Sequence, residues 1–129
     1  MKLRIRGNSI RLRLTQSEVA RVGAGERLEE VLAFGPKPEQ CLTYALEVAD
    51  KADNITASYQ AGRITLTLPL AAARTWSTTD TVTLDAEQLI HDGVVLRLLI
   101  EKDFACLTDR RGVEDADTFP HPLEGAVHC

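Results

Sequence analysis

Apolar and polar positions alternate from the first residues, but the alternation changes parity. Leu3 and Ile5 occupy odd positions and Ile10, Leu12 and Leu14 even ones, with Gly7-Asn8 between them. A single flat strand would turn one apolar set into solvent. A two-residue hairpin loop at Gly7-Asn8 removes the conflict, because glycine at the first loop position suits a type II′ turn. A β-bulge at Gly7 is the competing solution. In the hairpin, Arg6 opposes Ser9, Ile5 opposes Ile10 and Leu3 opposes Leu12. Lys2, Arg4, Arg6, Arg11 and Arg13 then share the other face.

Thr15-Gln-Ser-Glu18 has the spacing of a capping box, in which the Thr hydroxyl accepts from the Glu18 amide and the Glu18 carboxylate returns the bond. It predicts a short helix over 16–22, with Val19 and Val22 as its apolar stripe and Gly23-Ala-Gly25 as its stop. Residues 27–34 read as a strand of mixed character, broken by Gly35-Pro-Lys-Pro38. Leu42, Tyr44, Leu46 and Val48 then face one way, with Thr43, Ala45 and Glu47 facing the other. Residues 54–60 and 63–68 form a second hairpin about Ala61-Gly62. Pairing Gln60 with Arg63 places Tyr59 by Ile64, Ala57 by Leu66 and Ile55 by Leu68. The opposite face then carries the favourable pairs Ser58/Thr65 and Thr56/Thr67.

Pro69 opens a short helix over 70–76, whose tryptophan plugs the end of the core. Asp80–Leu84 reads as a short strand with Val82 and Leu84 inward. Asp92-Gly93 turns into Val94–Ile100, which is apolar on both faces apart from Arg97 and so belongs in mid-sheet or under a helix. Together, about eight strands and two short helices predict a mainly β (α+β) domain over residues 1–107. The expected form is a single antiparallel curled sheet or a small barrel. Residues 108–129 lose the periodicity and read as an irregular acidic tail. No internal repeat is apparent.

Charge sharpens this picture. The net charge of −4 conceals a split: residues 1–22 carry six Lys/Arg against Glu18, or +5, leaving −9 for the rest. Either the basic face binds an external anion or the chain's own acids neutralise it. The strand-borne candidates for neutralisation are Glu29, Glu30, Glu47, Glu101 and Asp103, with the tail as another. Like-charged pairs such as Arg4/Arg11 and Lys2/Arg13 are unfavourable unless something does so. No apolar run approaches the roughly 20 residues of a membrane-spanning helix, so no membrane partner is expected. The alternating start has no apolar h-region of a secretory signal, and three widely spaced cysteines suit reduced thiols, so a cytoplasmic setting is expected.

Candidate chemistry is sparse. The five cations could hold phosphate or carboxylate, the arginine forks supplying bidentate geometry. A barrel lined by them would suit phosphate processing, yet the alternating glutamates that a metal would need are missing. Cys106, His121, His128 and Cys129 lack the close pairing of a structural zinc site. Cys106 reads as a small buried hydrophobe and has no sequence-adjacent base. No phosphate loop, nucleophile elbow or dinucleotide fingerprint is present. Six aromatic residues in an acidic chain argue against nucleic acid as a partner. No catalytic residue, metal or cofactor is assigned.

RIRGNSIRLRLTQSEV at the start, Leu68-Pro69 followed by an Ala-rich turn and Trp76, and IEKDFACL…ED…FPHP at the end together resemble a small family of bacterial proteins defined as a domain of unknown function. The resemblance spans nearly the whole chain. It implies a compact stand-alone bacterial protein and supplies no activity or site residue. His121 stands where that family's pattern often shows Asn. The expected role is therefore a small non-enzymatic binding or structural module, with a small anion, a protein or a second copy paired through a strand edge as partner. The alternative is an anion-binding or phosphate-processing barrel using Lys2, Arg4, Arg6, Arg11 and Arg13.

Overall fold

The computed structural model describes residues 1–104 and Phe119. The first half of the described chain runs β1 (Lys2–Arg6), β2 (Ser9–Leu14), α1 (Gln16–Gly23), β3 (Leu28–Ala33) and β4 (Cys41–Ala49). The second half runs β5 (Thr56–Gln60), β6 (Arg63–Pro69), α2 (Leu70–Thr78), β7 (Thr83–His91) and β8 (Val94–Lys102).

The parity change at the start becomes a hairpin with unbroken register from Lys2–Arg13 to Arg6–Ser9, so no bulge is used. Gly7 turns at φ +54°, as the first position of a type II′ loop requires. The second hairpin also takes the expected register, from Gln60–Arg63 to Thr56–Thr67, and Ile55 falls just before the ladder. Its loop residues Ala61 and Gly62 are both left-handed, at φ +50° and +75°, as a type I′ turn demands. The capping box forms: Glu18 N donates to Thr15 Oγ1 at 3.4 Å, and Thr15 N to Glu18 Oε1 at 2.9 Å. Trp76 is fully buried and donates its Nε1 to Val82 O at 3.1 Å, closing one end of the core.

The sheet architecture departs from the single curled sheet or barrel. Two four-stranded sheets form, ordered β1-β2-β8-β7 and β3-β4-β6-β5. Each has antiparallel outer pairs and a parallel central pair, β2–β8 or β4–β6. No closed barrel exists among the described residues. Local alternation fixes which face of a strand is buried, not which distant strand lies beside it. The parallel pairs are therefore invisible to a residue-by-residue reading. β7 also differs from the expected 80–84 strand: it begins only at Thr83 and runs on to His91, leaving Val82 exposed before it. Asp85 and Glu87, alternating with Leu84 and Ala86, and the polar Gln88 on the same side as those apolar residues masked the continuation.

A repeat does emerge from this topology. Each half is a hairpin, a helix and a second hairpin, and each sheet joins the first hairpin of one half to the second hairpin of the other. The registers correspond: Ser9 faces Arg97 in the parallel pair of one sheet, and Arg63 faces Thr43 in the other. Ser9 and Arg63 are 54 residues apart, as are Thr43 and Arg97. The same step superposes Leu12 on Leu66, Leu14 on Leu68 and Val22 on Trp76, all buried in the core. α1 packs against α2, so both helices cover one end of that core. The turns at Gly7-Asn8, Ala61-Gly62 and Asp92-Gly93 lie at the other end.

Candidate functional site: a basic sheet face

The cationic residues stand on the outer face of the first sheet, opposite the side on which Leu12, Leu14, Leu98 and Ile100 are buried. Strand register arranges them in rows. Lys2, Arg13, Glu101 and Thr83 form one row across the sheet. Arg4, Arg11, Leu99 and Asp85 form the next, and Arg6, Ser9, Arg97 and Glu87 the third. Cations thus fill β1 and β2, and acids fill β7. Arg4, Arg6, Ser9, Arg11, Arg97 and Glu101 line an open depression of about 250 Å³. Arg97, the lone charge on an otherwise apolar strand, enters this group through the parallel β2–β8 pairing.

All five expected residues are therefore on one face, but they are not bare. Lys2 Nζ lies 3.0 Å from Asp103 Oδ2. Arg11 Nε lies 2.8 Å from Glu101 Oε1, and Arg13 Nε 3.9 Å from the same oxygen. The Arg11 approach is off the N–H axis, so the contact is Coulombic and the buried Oε1 accepts no hydrogen bond. Arg4 and Arg6 also have interaction partners. Of the acids that could neutralise this face, Glu101 and Asp103 take part. Glu29 and Glu47 are spent on the other sheet, and Glu30 lies 3.2 Å from the Met1 ammonium.

The second sheet serves as an internal comparison. At the positions equivalent to Lys2, Arg4, Arg6, Arg11 and Arg13 it carries Thr56, Ser58, Gln60, Thr65 and Thr67. Its outer face is balanced instead. Arg27 pairs with Glu29 at 2.8 Å and Glu47 at 3.2 Å, while Arg63 Nη1 donates to Glu29 Oε2 at 2.9 Å. The Arg63 hydrogen bond, ahead of an opposing desolvation effect, holds the Glu29 carboxyl below its ordinary range. The same backbone scaffold thus folds with four hydroxyls and an amide, all neutral, where the first sheet has five cations.

A second polar cluster ties the first strand to both sheets. The Met1 ammonium donates to Glu18 Oε2 at 2.5 Å, and Tyr44 Oη donates to Met1 O at 3.2 Å. Burial raises the Tyr44 phenol above its ordinary value, reinforced by the Glu30 charge. This cluster holds structure, tying the chain start to α1 and to the second sheet.

Among the described residues no three His, Cys, Asp or Glu side chains gather to hold a metal ion. Cys106, His121, His128 and Cys129 lie outside the described residues, as does the acidic 108–129 segment apart from Phe119. No helix among the described residues is long and apolar enough to cross a membrane. Positive charge and arginine forks converge on the depression of the first sheet, the chemistry by which phosphates and carboxylates are recognised. Residues 1–123 match the family described as "Family of unknown function (DUF7009)". The chain belongs to this family. No curated protein and no solved structure matches the DUF7009 chain.

Proposed function

We propose that this protein is a small non-enzymatic binding module that takes up an anion on the outer face of its first sheet, through Lys2, Arg4, Arg6, Arg11 and Arg13, joined by Arg97. One observation carries the reading: the equivalent face of the second sheet, built on the same register, has threonines, a serine and a glutamine at the five positions. Folding does not demand cations there. Their concentration on one face, beside a depression lined by four arginines, supports a ligand rather than a structural need. The phosphate-processing variant loses its frame, because the described residues form no closed barrel and the cations lie outside the core. A bacterial cytoplasm is the setting we propose, supported by the well-spaced thiols and the character of the sequence.

The test is thermal unfolding with inorganic phosphate, pyrophosphate, nucleotides and citrate. A ligand at a hundred times its dissociation constant stabilises by about 2.7 kcal/mol, a rise of roughly 10 °C for a domain of this size. Arg4→Ser with Arg11→Thr installs the residues that the second sheet carries at those places, so the fold is expected to persist and the shift to vanish. A flat response to every anion, or an undiminished one in the double variant, overturns the reading.

A further inference from the structure

We propose that two copies of the protein associate through the free edge of β3, pairing Val31 with Val31 about a two-fold axis. The argument rests on how the four edge strands are protected, because a bare edge offers unpaired N–H and C=O groups to any other strand. β1 carries Lys2, Arg4 and Arg6 and repels its own kind. On β5, the Gln88 side chain occupies Ala57, accepting from Ala57 N at 2.8 Å and donating to Ala57 O at 3.0 Å. β7 carries Asp85 and Glu87, and its register breaks between Leu89 and His91. Among the described residues, β3 has none of these devices past Glu30. Its ladder is unbroken, and Val31-Leu-Ala-Phe34 is uncharged, with Val31 60% and Phe34 74% exposed.

The register of a pairing follows from the backbone. Phe34 N donates to Gln40 O at 2.8 Å, continuing the β3–β4 ladder. Hydrogen-bonded pairs alternate, so Leu32 and Glu30 direct their groups at β4, while Glu29, Val31 and Ala33 direct theirs outward. A two-fold at Val31 aligns these outward groups: Val31 meets Val31, and Glu29 meets Ala33 on both sides, for about six main-chain bonds. It also keeps side-chain faces matched, with Glu30 across from Leu32. A centre at Glu29 or Glu30 would set like charges against each other, and one at Ala33 would shorten the overlap. This self-matching favours a second copy over a foreign strand. The contact is small, so a concentration-dependent dimer is expected.

Sedimentation equilibrium across a wide concentration range is the test. The native chain should approach twice its 14.2 kDa mass as concentration rises. Val31→Pro should remain at the single-chain mass while melting as the native protein does, because the lost N–H points away from β4. Val31→Lys should act likewise and serves if the proline variant does not fold. Val31→Cys should cross-link to itself under mild oxidant beyond the native thiols' background, since hydrogen-bonded cross-strand Cα atoms lie about 5.5 Å apart. A native chain that stays monomeric to its solubility limit overturns the proposal, as does a dimer undiminished in Val31→Lys.

Discussion

Gly23 on α1 faces Ser77 on α2 so closely that a Cβ on Gly23 would fall on the Ser77 side chain. The two residues are separated by the 54-residue step that relates the halves, so each half meets its own counterpart there. Rotation of Ser77 gives no relief, because its own Cβ is in the way as well as its hydroxyl. Gly23→Ala should gain about 1 kcal/mol of helix propensity and lose about 1–3 kcal/mol to overpacking. A net destabilisation is expected in urea unfolding followed by Trp76 fluorescence. Ser77→Gly in the same chain should recover much of it. Simple additivity of the two changes would show that the helices do not meet as described.

That contact also shows where sequence reading stops. The hairpin registers, the capping box, the buried Trp76 and the common face of the five cations all follow from local alternation and turn chemistry. Arg97 could not be added to that face, because it arrives through β8, whose parallel partner β2 is far away in sequence. The repeat stayed hidden for a related reason. Ile10-Arg-Leu-Arg-Leu14 and Ile64-Thr-Leu-Thr-Leu68 share their apolar spacing, but the outward residues differ in charge, and the exchange of hairpins between sheets is a property of topology alone.

Glu18 joins the helix cap to the chain start, accepting from Thr15 N, from the Thr15 hydroxyl at 3.1 Å and from the Met1 ammonium. Burial opposes its charge, but these bonds prevail and hold its pKa below the ordinary 4.5. A lowered carboxyl pKa stabilises fully above the unfolded value, and that contribution is lost as pH falls through the folded one. Burial likewise opposes the Met1 ammonium, and its bonds to Glu18 and Glu30 outweigh this and raise it above 8.0. Its contribution is complete below that value and lost as pH rises through the folded pKa. The pair should therefore stabilise most between about pH 5 and 8. Glu18→Gln should cost about 1 kcal/mol near neutrality, with the deficit narrowing on acidification. A deficit independent of pH would assign the loss to packing instead.

Glu101 is the acid set among the arginines, within ion-pair distance of both Arg11 and Arg13. If the depression takes an anion, this carboxylate repels it. Removing one unit charge a few Å away is worth about 1 kcal/mol in a well-solvated site. Glu101→Gln should thus raise affinity for pyrophosphate roughly fivefold and steepen its salt dependence, read by titration calorimetry. Unchanged affinity would mean that the anion sits elsewhere.

Gln88 and Ala57 join the edges of the two sheets by a side-chain amide acting as a peptide group: Ala57 N donates to Gln88 Oε1, and Gln88 Nε2 donates to Ala57 O. Its counterpart in the first half is Leu32, since Leu32 faces Leu42 as Gln88 faces Leu96. Gln88→Leu therefore fits the scaffold but strips Ala57 of both bonds, at a cost of about 1–3 kcal/mol. Faster amide exchange at Ala57 should report the loss directly. A second consequence follows from edge protection. β5 and β3 are the two edges of one sheet, so exposing β5 while β3 remains open gives each copy two docking edges and permits open-ended growth. Gln88→Leu should form species larger than dimers, and Val31→Lys in the same chain should cap that growth. Gln88→Leu that loses Ala57 protection yet stays no larger than the native protein would show that the amide joins the sheets without guarding the edge.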